Sequence, residues 1–362
     1  MVKVRIGVIG CGGIARGKHL PALVKVKEAE IVALCDIIPE RAEECRTEYA
    51  PDARTYEDYK ELLEKEKIDV VHVCTPNRSH SEISIAAMEA GCHVMCEKPM
   101  AINEAEAKKM LEASVRTGKK LTIGYQSRYR KDSKYLKKEC EKGTLGEIYF
   151  AKAHAIRRRA VPTWGVFLNE YEQGGGPLVD IGTHALDLTL WTMNNYKPKY
   201  CVGATFHKLN DHKGNSGNAW GNWDVSQFTV EDSAFGFVVM ENGAVIILES
   251  AWALNSLDVR EAQCTLCGTQ AGADMADGLR INYVKNNCQA IEKPDFASAG
   301  VAFNDSAAGD KDYEIEAYQW IQAVINDTQP CVLPQQAYVV SAILDGIYKS
   351  AKSGKPHYFD NI

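Results

Sequence analysis

Three short segments hold the residues that could do chemistry. Gly10-Cys11-Gly12-Gly13-Ile14-Ala15 lies near the start of the chain, Glu97-Lys98-Pro99 follows, and Gly174-Gly175-Gly176-Pro177-Leu178-Val179-Asp180-Ile181-Gly182-Thr183-His184 comes third. A glycine turn opening a helix can hold a dinucleotide. A lysine can stabilise an oxygen that is gaining negative charge. An aspartate beside a histidine can fix the ring's tautomer and raise its basicity, which suits a proton acceptor near neutral pH. Together these functions amount to hydride transfer from an alcohol.

The first segment is a G-x-G-x-x-A match. In such a match the first glycine permits the tight turn, the second lets backbone approach a pyrophosphate, and the small last residue lets helix and strand pack closely. Gly10, Gly12, Gly13 and Ile14 are the expected phosphate-side contacts. Asp36 closes the next apolar run, where a carboxylate accepts hydrogen bonds from the adenosine ribose and repels a 2′-phosphate. That favours NAD over NADP. Arg41 nearby is the contrary signal, since an arginine can accommodate that phosphate. Thr75-Pro76-Asn77, with His80 just beyond, ends a third strand, and Glu97-Lys98 ends a fourth. Ligands of parallel sheets bind at the carboxyl ends of the strands, so these residues, with Gln126 after the last strand, are expected around one crevice.

Asp180 and His184 are four apart, one turn along the same face if the segment is helical. Asp187 is placed to support them, and the glycine run lets backbone approach a ligand or a neighbouring strand. Two other readings stay open: a buried pair that only ties a helix to a sheet, and a D-x-x-x-H metal site, which lacks an evident third ligand. No metal is expected. Lys98 has the alternative of a solvated lysine before Pro99.

The elements that must position these residues fall into two patterns. Over residues 1–124 strands and helices alternate: strands at Lys3–Ile9, Ile31–Cys35, Val70–Cys74, His93–Cys96 and Leu121–Gly124, and helices at Ala15–Lys27 (interrupted by Pro21), Pro39–Tyr49, Tyr56–Glu64, Ser79–Ala90 and Glu104–Thr117. This is an α/β arrangement with a parallel sheet, a Rossmann domain. Over residues 125–362 the pattern becomes α+β with a large open sheet, mostly antiparallel. Its signals are helices at Ser133–Lys142 and Leu178–Met193, strands at Ile148–Ile156, Ala234–Met240 and Ala244–Leu248, and a hairpin turn at Glu241-Asn242-Gly243. Helices Glu314–Asn326 and Gln335–Ser350 close the chain, and the segments Asn210–Trp223 and Asn286–Ala308 resist assignment.

Among 362 residues the formal net charge is −6, with no long basic run, which argues against a nucleic-acid partner. No apolar stretch approaches the roughly 18 residues of a membrane span, and no secretion signal precedes the first strand. A cytoplasmic enzyme with reduced thiols is the expectation for its 12 cysteines. Cys264 and Cys267 have C-x-x-C spacing but no second pair, so they read as part of a strand rather than a zinc site.

With its glycine turn, its Glu97-Lys98-Pro99 and its Gly175-Gly176-Pro177-Leu178-Val179-Asp180-Ile181-Gly182-Thr183-His184, the chain resembles the Gfo/Idh/MocA oxidoreductase family over essentially its whole length. The resemblance implies that Lys98, Asp180 and His184 are the catalytic set and that NAD is the cofactor. It also implies that the substrate is a sugar, glycoside or polyol, and that the second domain's sheet makes a homo-oligomer. Glu97 and Lys98 join the cofactor contacts, and Lys98, Asp180, His184, Arg158 and Trp164 the substrate contacts. The arginine/tryptophan loop Arg157-Arg158-Arg159 to Trp164 resembles that of glycoside-oxidising members, bacterial glycoside 3-dehydrogenases among them. The alternatives are an inositol dehydrogenase, a glycosidase that holds NAD permanently, and a non-enzymatic dinucleotide sensor.

Overall fold

The computed structural model describes residues 3–209, 217–296 and 311–360. The chain forms two compact units, Met1–Tyr129 with Gly300–Tyr338, and Arg130–Ala299 with Val339–Ile362. The described residues 311–338 therefore lie with the N-terminal residues, whereas the sequence pattern assigned everything beyond 124 to the second domain.

The first unit is built on six parallel strands: β1 (Val4–Ile9), β2 (Ala29–Cys35), β3 (Arg54–Tyr56), β4 (Val70–Val73), β5 (His93–Cys96) and β6 (Leu121–Ile123). Their order is β3-β2-β1-β4-β5-β6, the doubly wound arrangement whose switch point lies beside β1. Ile6, Val8, Val70, Val71, Val94 and Leu121 are fully buried, as apolar runs covered on both faces must be. Asp58 caps the helix Tyr59–Lys65 and Asn103 caps Glu104–Thr117, each accepting a backbone N–H with its side chain. Because Asp58 starts that helix, Tyr56 belongs to β3 and not to the helix expected over Tyr56–Glu64. The helix expected over Ala15–Lys27 ends at Leu23 and contains a π-helical turn, Ala15–His19, just before Pro21. Proline cannot supply the next N–H of the ladder, and the wider turn accommodates that loss. The returning helix Asp312–Ile325 adds Trp320 and Ile321 to the core of this unit. Behind it, Thr122 donates to the Val332 carbonyl at 3.0 Å and Arg128 to the Cys331 carbonyl at 3.0 Å.

The second unit holds nine strands: β7 (Ile148–Ile156), β8 (Pro198–Phe206), β9 (Ser233–Met240), β10 (Val245–Ala251), β11 (Arg260–Gly268), β12 (Ala271–Asp274), β13 (Arg280–Lys285), β14 (Cys288–Glu292) and β15 (His357–Tyr358). They are ordered β14-β13-β12-β11-β7-β10-β9-β8-β15. Neighbours are antiparallel except β10 with β7. The turn at Glu241-Asn242-Gly243 joins β9 to β10, with Gly243 at φ +86°. One sheet face packs on the helix Thr183–Met193, while on the other Val202 and Phe237 are each 42% exposed. Cys264 and Cys267 lie three apart on β11 and so face opposite sides of the sheet. The part of Asn286–Ala308 that is described contributes β14; residues 210–216 and 297–310 lie outside the described residues.

Candidate functional site

In the first unit the glycine turn, Asp36, Thr75-Pro76-Asn77, Glu97-Lys98 and Gln126 all follow the carboxyl ends of parallel strands, so the topology puts them on one edge. Gly10 has φ +92°, and a Cβ there would lie 2.6 Å from the Cys74 carbonyl, so only glycine fits. At Gly12 and Gly13 the space a Cβ would enter is open. Ile14 is 41% exposed as the helix begins. Asp36 is buried, its Oδ2 accepting the Cys11 N–H at 2.8 Å and its Oδ1 the Ile38 N–H at 2.9 Å. Two carboxylate oxygens with one bond each retain acceptor capacity for ribose hydroxyls. The hydroxyl oxygen of Thr75 is buried with no hydrogen-bond partner among the described residues. An open glycine cradle, an anchored carboxylate and an unused buried hydroxyl fit a dinucleotide.

The other expected cofactor residues take varied places. Asn77 is buried in a turn after β4, Pro76 and Arg41 are exposed, and Gln126 is half-buried in the turn Gln126–Tyr129. His80 is fully enclosed, with Nδ1 2.8 Å from the Pro99 carbonyl and Nε2 3.0 Å from the Thr75 carbonyl. Burial lowers its pKa against the pull of those two carbonyls. It ties the Glu97-Lys98-Pro99 turn to the end of β4. Lys98 is half-buried. Glu97 is buried, its Oε1 accepting from Lys18 Nζ at 2.8 Å and meeting His19 Nε2 at 2.8 Å, while its Oε2 accepts the backbone N–H of Lys98 at 3.1 Å.

In the second unit the segment that carries Asp180 and His184 begins as a π-helical turn, Leu178–Gly182, and continues as the helix Thr183–Met193. Asp180 thus stands in the wide turn and His184 in the regular helix; both are half-buried, and Asp187 is fully buried. Trp252, itself fully buried on the strand end beyond β10, donates its indole N–H to Asp180 Oδ2 at 2.8 Å. The glycines approach protein: a Cβ at Gly175 would lie 2.1 Å from the Tyr348 hydroxyl and one at Gly176 2.3 Å from the Glu231 carbonyl oxygen. Glu231 caps this start, accepting the Gly176 N–H at 2.8 Å and the Leu178 N–H at 3.2 Å, with the Tyr348 hydroxyl at 2.7 Å. Burial raises its pKa while those donors pull it down.

Sequence reasoning missed Glu231, Tyr348 and Trp252, which come from distant segments and carry no motif. Arg158, an expected substrate contact, is exposed, and Arg157 beside it is half-buried. Arg157 pairs with Glu261 and lies over the Trp220 ring, 5.3 Å from its centroid. Against burial, its pKa is held up by Glu261 and by the charge of Asp180. Trp164, 50% exposed, meets Trp220 edge-to-face with ring centroids 4.8 Å apart.

Comparison with known proteins gives the family and the fold. Residues 4–125 match the profile of an oxidoreductase family with an NAD-binding Rossmann fold, and residues 133–274 match the GFO/IDH/MocA C-terminal domain. The chain is 33% identical over 351 residues to the D-glucoside 3-dehydrogenase of Escherichia coli K12, covering 97% of this chain and 96% of that one. It is 31% identical over 197 residues to the inositol 2-dehydrogenase of Salmonella typhimurium, covering 54% and 56% respectively. A solved levoglucosan dehydrogenase in complex with NADH shares the fold, with a TM-score of 0.82 at 20% identity over 99% of this chain and 100% of that one.

Proposed function

The chain belongs to the Gfo/Idh/MocA family of NAD-binding oxidoreductases, and from that premise we propose that it oxidises a secondary hydroxyl of a glycoside, at C3 of a glucoside ring. The observation that carries this reading is the similarity to the glucoside enzyme along 97% of the chain. The inositol relative matches over only 54% of it.

Bound NAD supplies the hydride acceptor. Gly12 and Gly13 would admit its pyrophosphate, Asp36 would accept hydrogen bonds from its adenosine ribose, and Gln126 and Thr75 would help to hold it. Lys98 donates to the substrate oxygen and stabilises it as it becomes alkoxide-like. His184 accepts the hydroxyl proton, and Asp180, steadied by the Trp252 indole, keeps the imidazole basic. Arg157, Trp220 and Trp164 offer a cationic edge and two aromatic faces to the aglycone. The open face of the nine-stranded sheet, apolar at Val202 and Phe237, pairs with a second copy of the chain. Among the described residues no helix is long and apolar enough to cross a membrane, and all 12 cysteines are free thiols, which suits the reducing cytoplasm.

A panel of glucosides, inositols and other polyols, read for reduced nicotinamide and for released aglycone, tests the reading. Glucosides should reduce NAD, and Lys98→Ala or His184→Ala should abolish this while NAD still binds. Near-normal turnover in either variant refutes the assignment. Aglycone release without reduced nicotinamide would make the protein a glycosidase.

A further inference from the structure

We propose that Glu97 is a positioning residue: a buried relay of Lys18, His19, His72 and Glu316 grips its carboxylate, and that carboxylate fixes the backbone of Lys98. The inference rests on the reading of Lys98 as catalytic.

The five side chains are each no more than 5% exposed. Besides Glu97, Lys18 Nζ reaches Glu316 Oε2 at 2.9 Å, and His19 Nδ1 lies 2.9 Å from His72 Nδ1. Hydrogen-bond directions follow from donor chemistry. The Lys98 amide and the Lys18 ammonium can only donate, so Glu97 accepts from both and is ionised. His19 must then donate through Nε2, its Nδ1 must accept, and His72 must donate from Nδ1. His72 Nε2 is left as a bare lone pair, and it has no partner among the described residues. Burial raises the pKa of Glu97, but Lys18 and His19 outweigh burial and hold it well below the carboxylate range, which agrees with this ionised form.

Such a cluster is expensive to bury, and tying a helix to a sheet needs only apolar contact. What distinguishes it is where its hydrogen bonds lead. Glu97 Oε1 is gripped by two residues of the π-helical turn, and Oε2 then holds the next residue's own N–H. The end of β6 leaves room for the grip: a Cβ at Gly124 would lie 3.0 Å from Glu97 Oε1 and 3.2 Å from Lys18 Nζ. His80 holds Pro99 from the other side, so all three residues of the turn are anchored.

Glu97→Gln retains shape but turns an amide N–H₂ toward at least one donor. Turnover should fall about 100-fold, the scale of a misplacement near 1 Å. KM for the glucoside and NAD affinity should change little, because the lost term is orientation. Lys18→Met with Glu97→Gln removes the stranded ammonium and restores folding if the single variant is unstable. The double variant should stay slow and keep the single variant's KM. A folded Glu97→Gln enzyme with wild-type turnover overturns the inference, as does a double variant that recovers rate together with thermal stability. If Lys98→Ala itself turns over normally, the parent reading falls and this one with it. If Lys98→Ala is dead and Glu97→Gln is unimpaired, only this one falls.

Discussion

Replacing Glu316 by glutamine isolates a single proton in the core of the first unit. Glu316 is 1% exposed, Oε2 lies 2.9 Å from Lys18 Nζ, and Oε1 has no hydrogen-bond partner among the described residues. Burial pushes its pKa from 4.5 up to about 7, against the pull of Lys18 and with added repulsion from Glu97 and Asp312. The folded protein therefore keeps this proton between pH 4.5 and 7 while the unfolded chain gives it up. Where the native state binds more protons, stability falls as pH rises. The difference of 2.5 units corresponds to about 3 kcal/mol, absent below the unfolded value and complete above the folded one. Glu316→Gln removes that titration. The histidines His19, His72, His80 and His93, all shifted down by burial, titrate over part of the same range with the opposite slope. They are common to both proteins, so the difference curve cancels them. Urea unfolding of wild type and variant between pH 5 and 8, with the Glu316 carboxyl followed by carbon NMR, measures both quantities. The variant should gain on the wild type by most of those 3 kcal/mol as pH rises. A flat difference curve, or a carboxyl titrating with an ordinary pKa, would refute the argument that this group is buried with too little compensating charge.

Two substitutions in the glycine turn separate folding from cofactor binding. Gly10→Ala forces a Cβ against the Cys74 carbonyl at a positive φ and should destabilise the first unit by about 1–3 kcal/mol. Gly12→Ala meets nothing in the protein and should leave the unfolding midpoint unchanged while NAD affinity, read by calorimetry, drops at least tenfold. Equal NAD binding by Gly12→Ala and wild type would show that no pyrophosphate passes there. Trp252→Phe deletes the indole N–H that bonds Asp180. At about 1.5–3 kcal/mol for a hydrogen bond to a charged group, kcat should fall roughly 10- to 100-fold and the pH profile should shift if Asp180 acts on the imidazole as proposed. An unchanged profile would mean that Asp180 is oriented by other means.

How far the sequence could be read depended on whether burial left a local pattern. Strands β1, β2, β4 and β5 were legible because covering both faces requires mostly apolar runs. Strand β3 was not, since Arg54 and Thr55 are exposed and three residues make no period. Strand β8 begins with a proline and carries a glycine; its exposed positions Lys199, Val202, Ala204 and Phe206 mix charge with apolar groups, so no polar face shows. The parallel pairing of β10 with β7 depends on distant segments and has no local signal. In the site, the glycines, Asp36, Lys98, Asp180 and His184 stood out because their neighbours in sequence form the motif. The residues that hold them do not. Lys18 reads as one more cation on a helix, and Glu316 is brought to it by a segment that returns to the first unit after eight of the second unit's nine strands.

The two candidate segments, one in each unit, use the same backbone device. Consecutive residues of an α-helix diverge by about 100° around its axis and do not share a target. Lys18 and His19 nevertheless both reach Glu97 Oε1, and they do so from a π-helical turn, where each residue advances the chain less around the axis. Asp180 stands in the second such turn, where the ladder is widened and the first N–H groups must find other acceptors. Glu231 meets this need on one buried carboxylate, taking the Leu178 N–H of the turn and the Gly176 N–H just before it. A π-helical turn breaks the regular i−4 ladder, and here each wide turn is held by a buried glutamate from a distant part of its own unit. The same two glutamates stand beside the proposed lysine and beside the proposed aspartate–histidine pair. The regular helix thus gives way at Asp180 and at the two residues that grip Glu97, and the non-local carboxylates supply the order that the local sequence lacks.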